Sequence, residues 1–222
     1  GYKCVTYVCD KRFLLVMMFL DYAVEPWYYE RGLDFYKDGQ NYAMGSLIAV
    51  TGPTLFGEEA YGAMLAAFQR AMKEKTPESL TGLVEAIRRT KWRQLPEALG
   101  PLAEFAAPEC LEAIATPGVS TDAAMVVMQS LISRMEVMAA GPYRVEHDES
   151  KNLATYHDLL QGFIDHTDEA EFRQSAIASL KFPLKLTAVT QVDSKSSPAV
   201  QLADVMIGAA IEAGNTLIGQ RS

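Results

Sequence analysis

The chain has 222 residues, of which 49% are hydrophobic, and its formal net charge at pH 7 is −8. This length suffices for one substantial domain with its own core, and the apolar fraction excludes the disordered and fibrous classes of protein. The negative charge argues against a broad nucleic-acid-binding surface, because phosphate binding draws its affinity from clustered Lys and Arg, so any nucleic-acid contact should be local.

The sequence carries neither a membrane-span signal nor a zinc-type cysteine motif. The longest apolar run, residues 13–20, is far shorter than the roughly 20 residues that a membrane-spanning helix requires, and no secretory leader precedes it. Cys4, Cys9 and Cys110 lack the paired spacing of a zinc site, which indicates reduced thiols. We therefore expect a soluble, unexported protein of the cytoplasm.

The N-terminal segments are apolar and then turn-rich. Residues 4–9 are short, apolar and rich in β-branched side chains, so we expect a buried strand there. The apolar segment 13–24 fits a helix or a strand, and it is compatible with a homodimer. Residues 25–54 are rich in Pro, Gly, Tyr and charged side chains, which predicts turns around one helix.

The middle of the chain has the periodicity and the start signals of helices. Four apolar side chains recur at spacings of four, three and four and so share one helix face: Tyr61, Leu65, Phe68 and Met72. Thr76-Pro77-Glu78 supplies a cap, a first-turn proline and an early acid. Because both flanks contain strand candidates, we predict a single α/β domain over residues 1–222 with a helical insertion lobe at about 57–140.

A pattern of strand, acidic turn and helix occurs twice after this lobe. In the first, a strand at residues 143–147 is followed by Asp148 and Glu149, and Ser150 can cap the next helix. In the second, a strand at residues 184–192 is followed by Asp193. Open α/β sheets commonly place ligands and reacting groups where strands run out into turns.

The helix that begins at Pro198 is apolar around almost its whole circumference, so we predict that it is largely buried. Gln201 and Asp204 are three residues apart and share one face, which Gly208 leaves bare for close approach. A buried, ionised carboxylate costs several kcal/mol unless it is paired, hydrogen-bonded or bound to a metal. The alternative is that Asp204 only braces the polar turn at residues 194–197.

Three aspartates are our candidates for both catalytic and metal-binding residues: Asp148, Asp193 and Asp204. Gln201 and Glu149 would support them. Converging carboxylates suit Mg²⁺ or Mn²⁺, since these hard cations take oxygen ligands. For Asp148 and Glu149 a structural role is an open alternative, because acids before a helix complement its dipole.

Other polar motifs are weaker signals. His147, His157 and His166 lie nine and eight residues apart, which matches no ligand spacing on one helix. The basic run at residues 88–93 contains Trp92 and could hold a phosphate backbone or a stacked base, although such runs are more often solvated helix ends. The sequence has no nucleotide-binding glycine fingerprint, Walker loop or nucleophile elbow, so no organic cofactor is predicted.

Residues 192–209 contain an aspartate, a serine-rich turn and a Gln-Leu-Ala-Asp helix followed by a small residue. With the segments 8–13 and 146–150, this motif resembles the uncharacterised prokaryotic family called domain of unknown function 3800. The resemblance implies a ribonuclease H-like fold, in which a mixed sheet is flanked by helices and carboxylates hold divalent metal for phosphodiester cleavage. It extends to Asp148, Asp193 and Asp204, with Gln201 in support.

The chain departs from this family at its start. Members usually begin with a strand that bears an Asp-Glu-Ser-Gly signature, whereas this chain begins with Gly1-Tyr2-Lys3. Either a segment is missing from the chain or the protein lacks a central catalytic acid.

Two functional hypotheses follow. In the first, the protein is a metal-dependent phosphodiesterase or nuclease, whose metal ions on the three aspartates would activate water and stabilise the leaving oxygen. In the second, it is a non-catalytic binding or accessory module of the same fold, whose acids form a hydrogen-bonded brace while the helical lobe meets a partner. The negative charge and the missing first acid favour the second.

Overall fold

The computed structural model describes residues 4–173, 179–217 and 219. The chain forms two compact units. The helical unit is Cys9–Thr121, and the sheet unit combines Gly1–Val8 with Asp122–Ser222. In sequence, the helical unit lies between the two parts of the sheet unit, and it shares residues 57–121 with the helical lobe that we predicted at about 57–140.

The helical unit contains seven α-helices and two short 3-10 turns over residues 9–121, all of which are described. The helices are α1 (Lys11–Ala23), α2 (Glu25–Tyr29), α3 (Gln40–Phe56), α4 (Glu58–Glu74), α5 (Pro77–Arg89), α6 (Pro96–Ala103) and α7 (Pro108–Ala115). The 3-10 turns are Lys37–Gly39 and Trp92–Gln94.

Caps explain where two of these helices begin. The Asp10 carboxylate accepts the backbone N–H groups of Arg12 and Phe13 at 2.8 and 2.9 Å, which starts α1 and makes the ambiguous segment 13–24 helical. Thr76 and Ser79 form a reciprocal capping box at the start of α5. The predicted helix start at Thr76 is therefore confirmed.

The core of the helical unit is built around α4. Its buried face includes all four apolar residues that the sequence placed together. Phe68 meets Phe19 of α1 edge to face, with ring centroids 5.4 Å apart. The buried hydroxyl of Tyr61 donates to the carbonyl oxygen of Ile48 at 3.2 Å, and its ring lies against Gly52 of α3. The close approach of α3 and α4 depends on that glycine.

The sheet unit contains four described helices and four described strands. In chain order they are α8 (Ala123–Met138), β1 (Tyr143–His147), α9 (Lys151–Thr155), α10 (His157–Asp165), β2 (Ala170–Arg173), β3 (Ser179–Phe182), β4 (Leu186–Gln191) and α11 (Pro198–Leu217). None of the helices described in either unit combines the length and the apolar character that a membrane crossing requires.

The four strands form two small sheets. β1 and β4 are parallel neighbours, and β2 and β3 form an antiparallel pair. Five buried apolar side chains hold this unit together: Met128, Ile132, Leu160, Leu180 and Leu186. The described chain is therefore mixed α/β and mainly helical, with small sheets flanked by helices.

The buried strand that we predicted at residues 4–9 is not observed. The segment has no strand assignment, and Val8 is 87% exposed. A strand needs the N–H and C=O groups of a neighbouring strand, and none of the described strands pairs with this segment. Its β-branched composition was therefore not sufficient to make it a strand.

Candidate functional site: the acidic edge of the parallel strands

The two predicted acidic turns meet at one edge of the β1–β4 sheet. Because these strands are parallel, their C-terminal ends lie side by side, with His147 opposite Gln191. The pairing continues one residue further, since the backbone N–H of Val192 donates to the carbonyl oxygen of His147 at 2.9 Å. Asp148 and Asp193 follow directly, so the structure brings these two candidates together. We call this region the acidic edge.

Asp148 joins the two turns. Its Oδ1 atom accepts the backbone N–H of Ser194 at 3.3 Å. The backbone N–H of Glu149 lowers the pKa of the exposed Asp148 carboxyl from its usual value, and the N–H of Ser194 acts in the same direction. Both bonds favour the ionised form, so Asp148 is a carboxylate that the backbone around it stabilises.

Asp193 organises its own turn. Its Oδ1 atom accepts the backbone N–H of Lys195 at 2.9 Å, and its carbonyl oxygen accepts the N–H of Ser196, also at 2.9 Å. This geometry is that of an Asx turn, in which a short acid replaces a backbone acceptor. One oxygen of each of the two aspartates is thus bonded to backbone.

Gln201, rather than Asp204, braces this turn from α11. Its Nε2 atom donates to the carbonyl oxygens of Ser194 and Lys195, both at 3.0 Å. The sequence suggested Gln201 as a support for the three aspartates, whereas its described hydrogen bonds go to the backbone of the polar turn. They hold the first turn of α11 against the loop that leads into it.

Glu146 is a member of the acidic edge that the sequence did not single out. Its Oε2 atom accepts the hydroxyl of the buried Ser197 at 3.0 Å, and Ser197 in turn accepts the backbone N–H of Val200 at 3.4 Å. β1 is therefore linked to the cap of α11. The available signal was the alternation of side chains along a strand, which places Glu146 two residues before Asp148 and on the same face.

Our prediction that the final helix is largely buried is wrong. Val200 is the one buried residue of α11, and residues 201–213 are all exposed. Asp204 is among the exposed residues, and no hydrogen bond or ion pair joins its side chain to another described residue. An apolar sequence shows that a helix gains from burial, but burial also needs a covering surface. No described element covers α11 beyond its start.

The second supporting candidate, Glu149, is exposed, and its backbone N–H donates a hydrogen bond to the Asp148 carboxylate. The next residue, Ser150, accepts the N–H of Leu153 at 3.3 Å and so caps α9 as the sequence predicted. The first acidic turn is thus built as the start of a helix.

The three aspartates do not form one ligand group. Over residues 4–173, 179–217 and 219, no cluster of three or more His, Cys, Asp and Glu side chains is placed to hold a metal ion. Asp148 and Asp193 lie in neighbouring turns at the acidic edge, and Asp204 lies on the exposed part of α11. Binding of Mg²⁺ or Mn²⁺ stays a prediction.

The fold and the acidic edge define a mixed α/β chain with an inserted helical unit and a hydrogen-bonded junction between two parallel strands and a helix. Comparison of the chain with family models, with curated proteins and with solved structures found no match.

Proposed function

We propose that the protein is a non-catalytic binding module that associates with a second copy of itself through α11. The observation that carries the proposal is the exposure of this 20-residue helix, on which Leu202 is 45%, Met206 38% and Val205 69% exposed. Monomeric proteins rarely leave a large contiguous apolar patch in water, and such patches commonly mark interaction sites.

The acidic edge acts in this proposal as the brace that fixes α11. Asp148 ties the turn after β1 to the turn after β4, Gln201 ties that turn to the helix, and Glu146 holds the Ser197 cap. Each acid therefore accepts hydrogen bonds from the chain itself. A helix held at one end by several bonds presents its remaining surface in a defined orientation, which lowers the entropic cost of association.

The apolar face of α11 is complementary to itself. Two large side chains in the first half, Leu202 and Met206, are followed on the same face by two small ones in the second half, Ala209 and Ala213. Their spacings of four, three and four keep all of them on one stripe. In an antiparallel pair about a twofold axis, the large residues of one copy pack over the small residues of the other.

The charges on α11 fit this arrangement. At about 100° per residue, Asp204 lies on the side opposite the stripe and Glu212 lies at its flank. Since the chain has a net charge of −8, two copies repel each other, and a stable contact needs a surface without acids. The Leu202 stripe meets that requirement.

The test is the solution mass of the whole chain by light scattering, compared with the mass of Leu202→Glu. We expect a dimer at micromolar concentration for the native chain and a monomer for the variant, because the new carboxylate would face an apolar surface. Val137→Glu is the matched control, since Val137 is 77% exposed on α8 and lies outside the stripe. A monomeric native chain, or a Leu202→Glu variant that still dimerises, would contradict the proposal.

A second candidate function is a divalent-metal-dependent phosphodiesterase with a ribonuclease H-like arrangement. What favours it is the meeting of Asp148 and Asp193 at one strand edge, together with the resemblance to domain of unknown function 3800. Bound Mg²⁺ or Mn²⁺ would supply a Lewis acid and an activated water there. Its test is thermal unfolding with and without Mn²⁺: a rise that Asp148→Asn and Asp193→Asn both remove supports it, and no rise at millimolar Mn²⁺ rejects it.

A further inference from the structure

An open cavity of about 640 Å³ lies in the helical unit. It is lined by the end of α5, the second 3-10 turn and the two ends of α6, through Arg88, Trp92, Arg93, Pro96, Ala103 and Glu104. This volume falls within the range of roughly 300–1,000 Å³ that is common for small-molecule sites. Three residues of the basic run at 88–93, namely Arg88, Trp92 and Arg93, line this cavity, and self-association through α11 does not use them.

Arg88 is fixed in the cavity wall by the chain itself. Its Nε atom donates to the carbonyl oxygen of Ala103 at 2.8 Å, so one end of the guanidinium is anchored to the last residue of α6. Its two Nη groups have no acceptor within the part of the chain that the structure describes. An anchored guanidinium with free outer nitrogens is pre-organised for a bidentate anion.

Arg93 supplies a second guanidinium. Its Cζ atom lies 4.4 Å from the centroid of the Trp92 ring, and Trp92 is only 9% exposed. Stacking on a buried indole restricts the Arg93 side chain without using its hydrogen-bond donors. The planar donor edge stays available to a ligand.

Arg88 and Arg93 have no acid partner among the described residues, unlike four other arginines. Four arginines each have a carboxylate oxygen within 4.0 Å: Arg31, Arg70, Arg89 and Arg144. Neither Arg88 nor Arg93 has such a partner among the described residues, although the chain has eight more acidic than basic side chains. The cavity thus carries two guanidinium groups and one carboxylate, that of Glu104, and no ion pair joins Glu104 to either arginine among the described residues.

We infer that this cavity binds a small phosphate monoester with an attached apolar ring, of the size of a nucleoside monophosphate. The two guanidiniums hold the phosphate, and the ring packs on Pro96, which is the exposed member of the apolar lining beside the buried Trp92 and Ala103. Glu104 lines the same cavity and accepts hydrogen bonds from hydroxyl groups of the ligand, while it repels further negative charge. Monophosphates should therefore bind more tightly than polyphosphates or oligonucleotides.

The experiment is calorimetric titration of the whole chain with adenosine monophosphate at low salt. We expect Arg88→Gln and Arg93→Gln each to weaken binding about ten- to a hundredfold, the usual worth of a hydrogen bond to a charged group. Arg89→Gln is the matched control, because Arg89 is adjacent in sequence, pairs with Glu85 at 3.6 Å and does not line the cavity. It should bind as the native chain does, and adenosine without its phosphate should not bind.

Each other outcome rejects the inference. Absence of binding at millimolar adenosine monophosphate would show that the arginines are simply solvated. Equal weakening by Arg89→Gln would show a diffuse charge effect rather than a site. Tighter, Arg88-dependent binding of a single-stranded oligonucleotide would make this a nucleic-acid surface. The side chain of the exposed Arg93 makes no hydrogen bond to the backbone of the described residues, so Arg93→Gln tests the site even if Arg88→Gln disturbs folding.

Discussion

The Oδ1 atom of Asp148 accepts the backbone N–H of Ser194 at 3.3 Å, across 46 residues of sequence. This bond joins the turn after β1 to the turn after β4 at the point where the two parallel strands end. The carboxylate therefore has a structural partner that holds the entry to α11.

Replacing Asp148 with Asn should destabilise the sheet unit at neutral pH. The pKa of Asp148 is lowered in the folded protein, mainly by the backbone N–H of Glu149. The ionised carboxylate therefore stabilises the folded state above the unfolded pKa of about 3.8, and this stabilisation is lost as the pH falls below that value. Urea unfolding at neutral and acidic pH should show a difference from the native chain that shrinks on acidification. Asp204→Asn, which removes no described bond, should show no difference at either pH.

Asp21 of α1 should behave in the opposite sense. Burial raises the pKa of its carboxyl to about 6, although Tyr36 donates a hydrogen bond to it at 3.2 Å. A raised carboxyl pKa means that the folded state binds the proton more tightly, so stability falls as the pH rises from about 4 through 6. Asp21→Asn keeps an acceptor for Tyr36, and we expect it to stabilise the protein by about 1–3 kcal/mol at pH 7. The gain should vanish near pH 4, and a gain that is equal at both pH values would contradict this account.

Two glycine substitutions should have opposite effects on the helical unit. A Cβ atom at Gly52 would lie 2.8 Å from the ring of the buried Tyr61, so Gly52→Ala should cost about 1–3 kcal/mol. A Cβ atom at Gly62, on the exposed side of α4, meets nothing within 4 Å, so Gly62→Ala should stabilise by up to about 1 kcal/mol. Thermal unfolding of both variants measures the contrast, and equal shifts would show that α3 and α4 are less closely packed than described.

Ser197→Ala should weaken both the fold and self-association. The hydroxyl links Glu146 of β1 to the cap of α11, and loss of such a cap costs about 0.5–2 kcal/mol. If the brace orients α11, the dimer dissociation constant should rise in this variant although Ser197 lies outside the Leu202 stripe. Light scattering against concentration gives that constant. If the variant is destabilised but its dimer dissociation constant is unchanged, the brace does not orient α11 for dimerisation.

Local chemistry in the sequence was enough to predict several of these features. The periodicity of Tyr61 and Phe68, the Thr76 start signal and the Ser150 cap are all set by residues close together in the chain, and each is present. The meeting of Asp148 with the Asp193 turn also follows from sequence, because parallel strands end at a common edge.

The predictions that failed concern elements whose structure depends on residues far away in the chain. Residues 4–9 have strand composition but no strand to pair with, and α11 has core composition but nothing described that covers it. The role of Glu146 depends on Ser197, which is 51 residues away in the chain. In the cavity, the basic run was visible, whereas the apposition of Ala103 to Arg88 required the packing of α6 on α5.

The most direct test of the central claim is hydrogen–deuterium exchange of the whole chain at low and high micromolar concentration. If α11 is the self-association surface, amides in residues 201–213 should exchange more slowly at the higher concentration, while those of β1 and β4 should not change. Exchange in α11 that is independent of concentration, together with a monomeric mass throughout, would contradict the account.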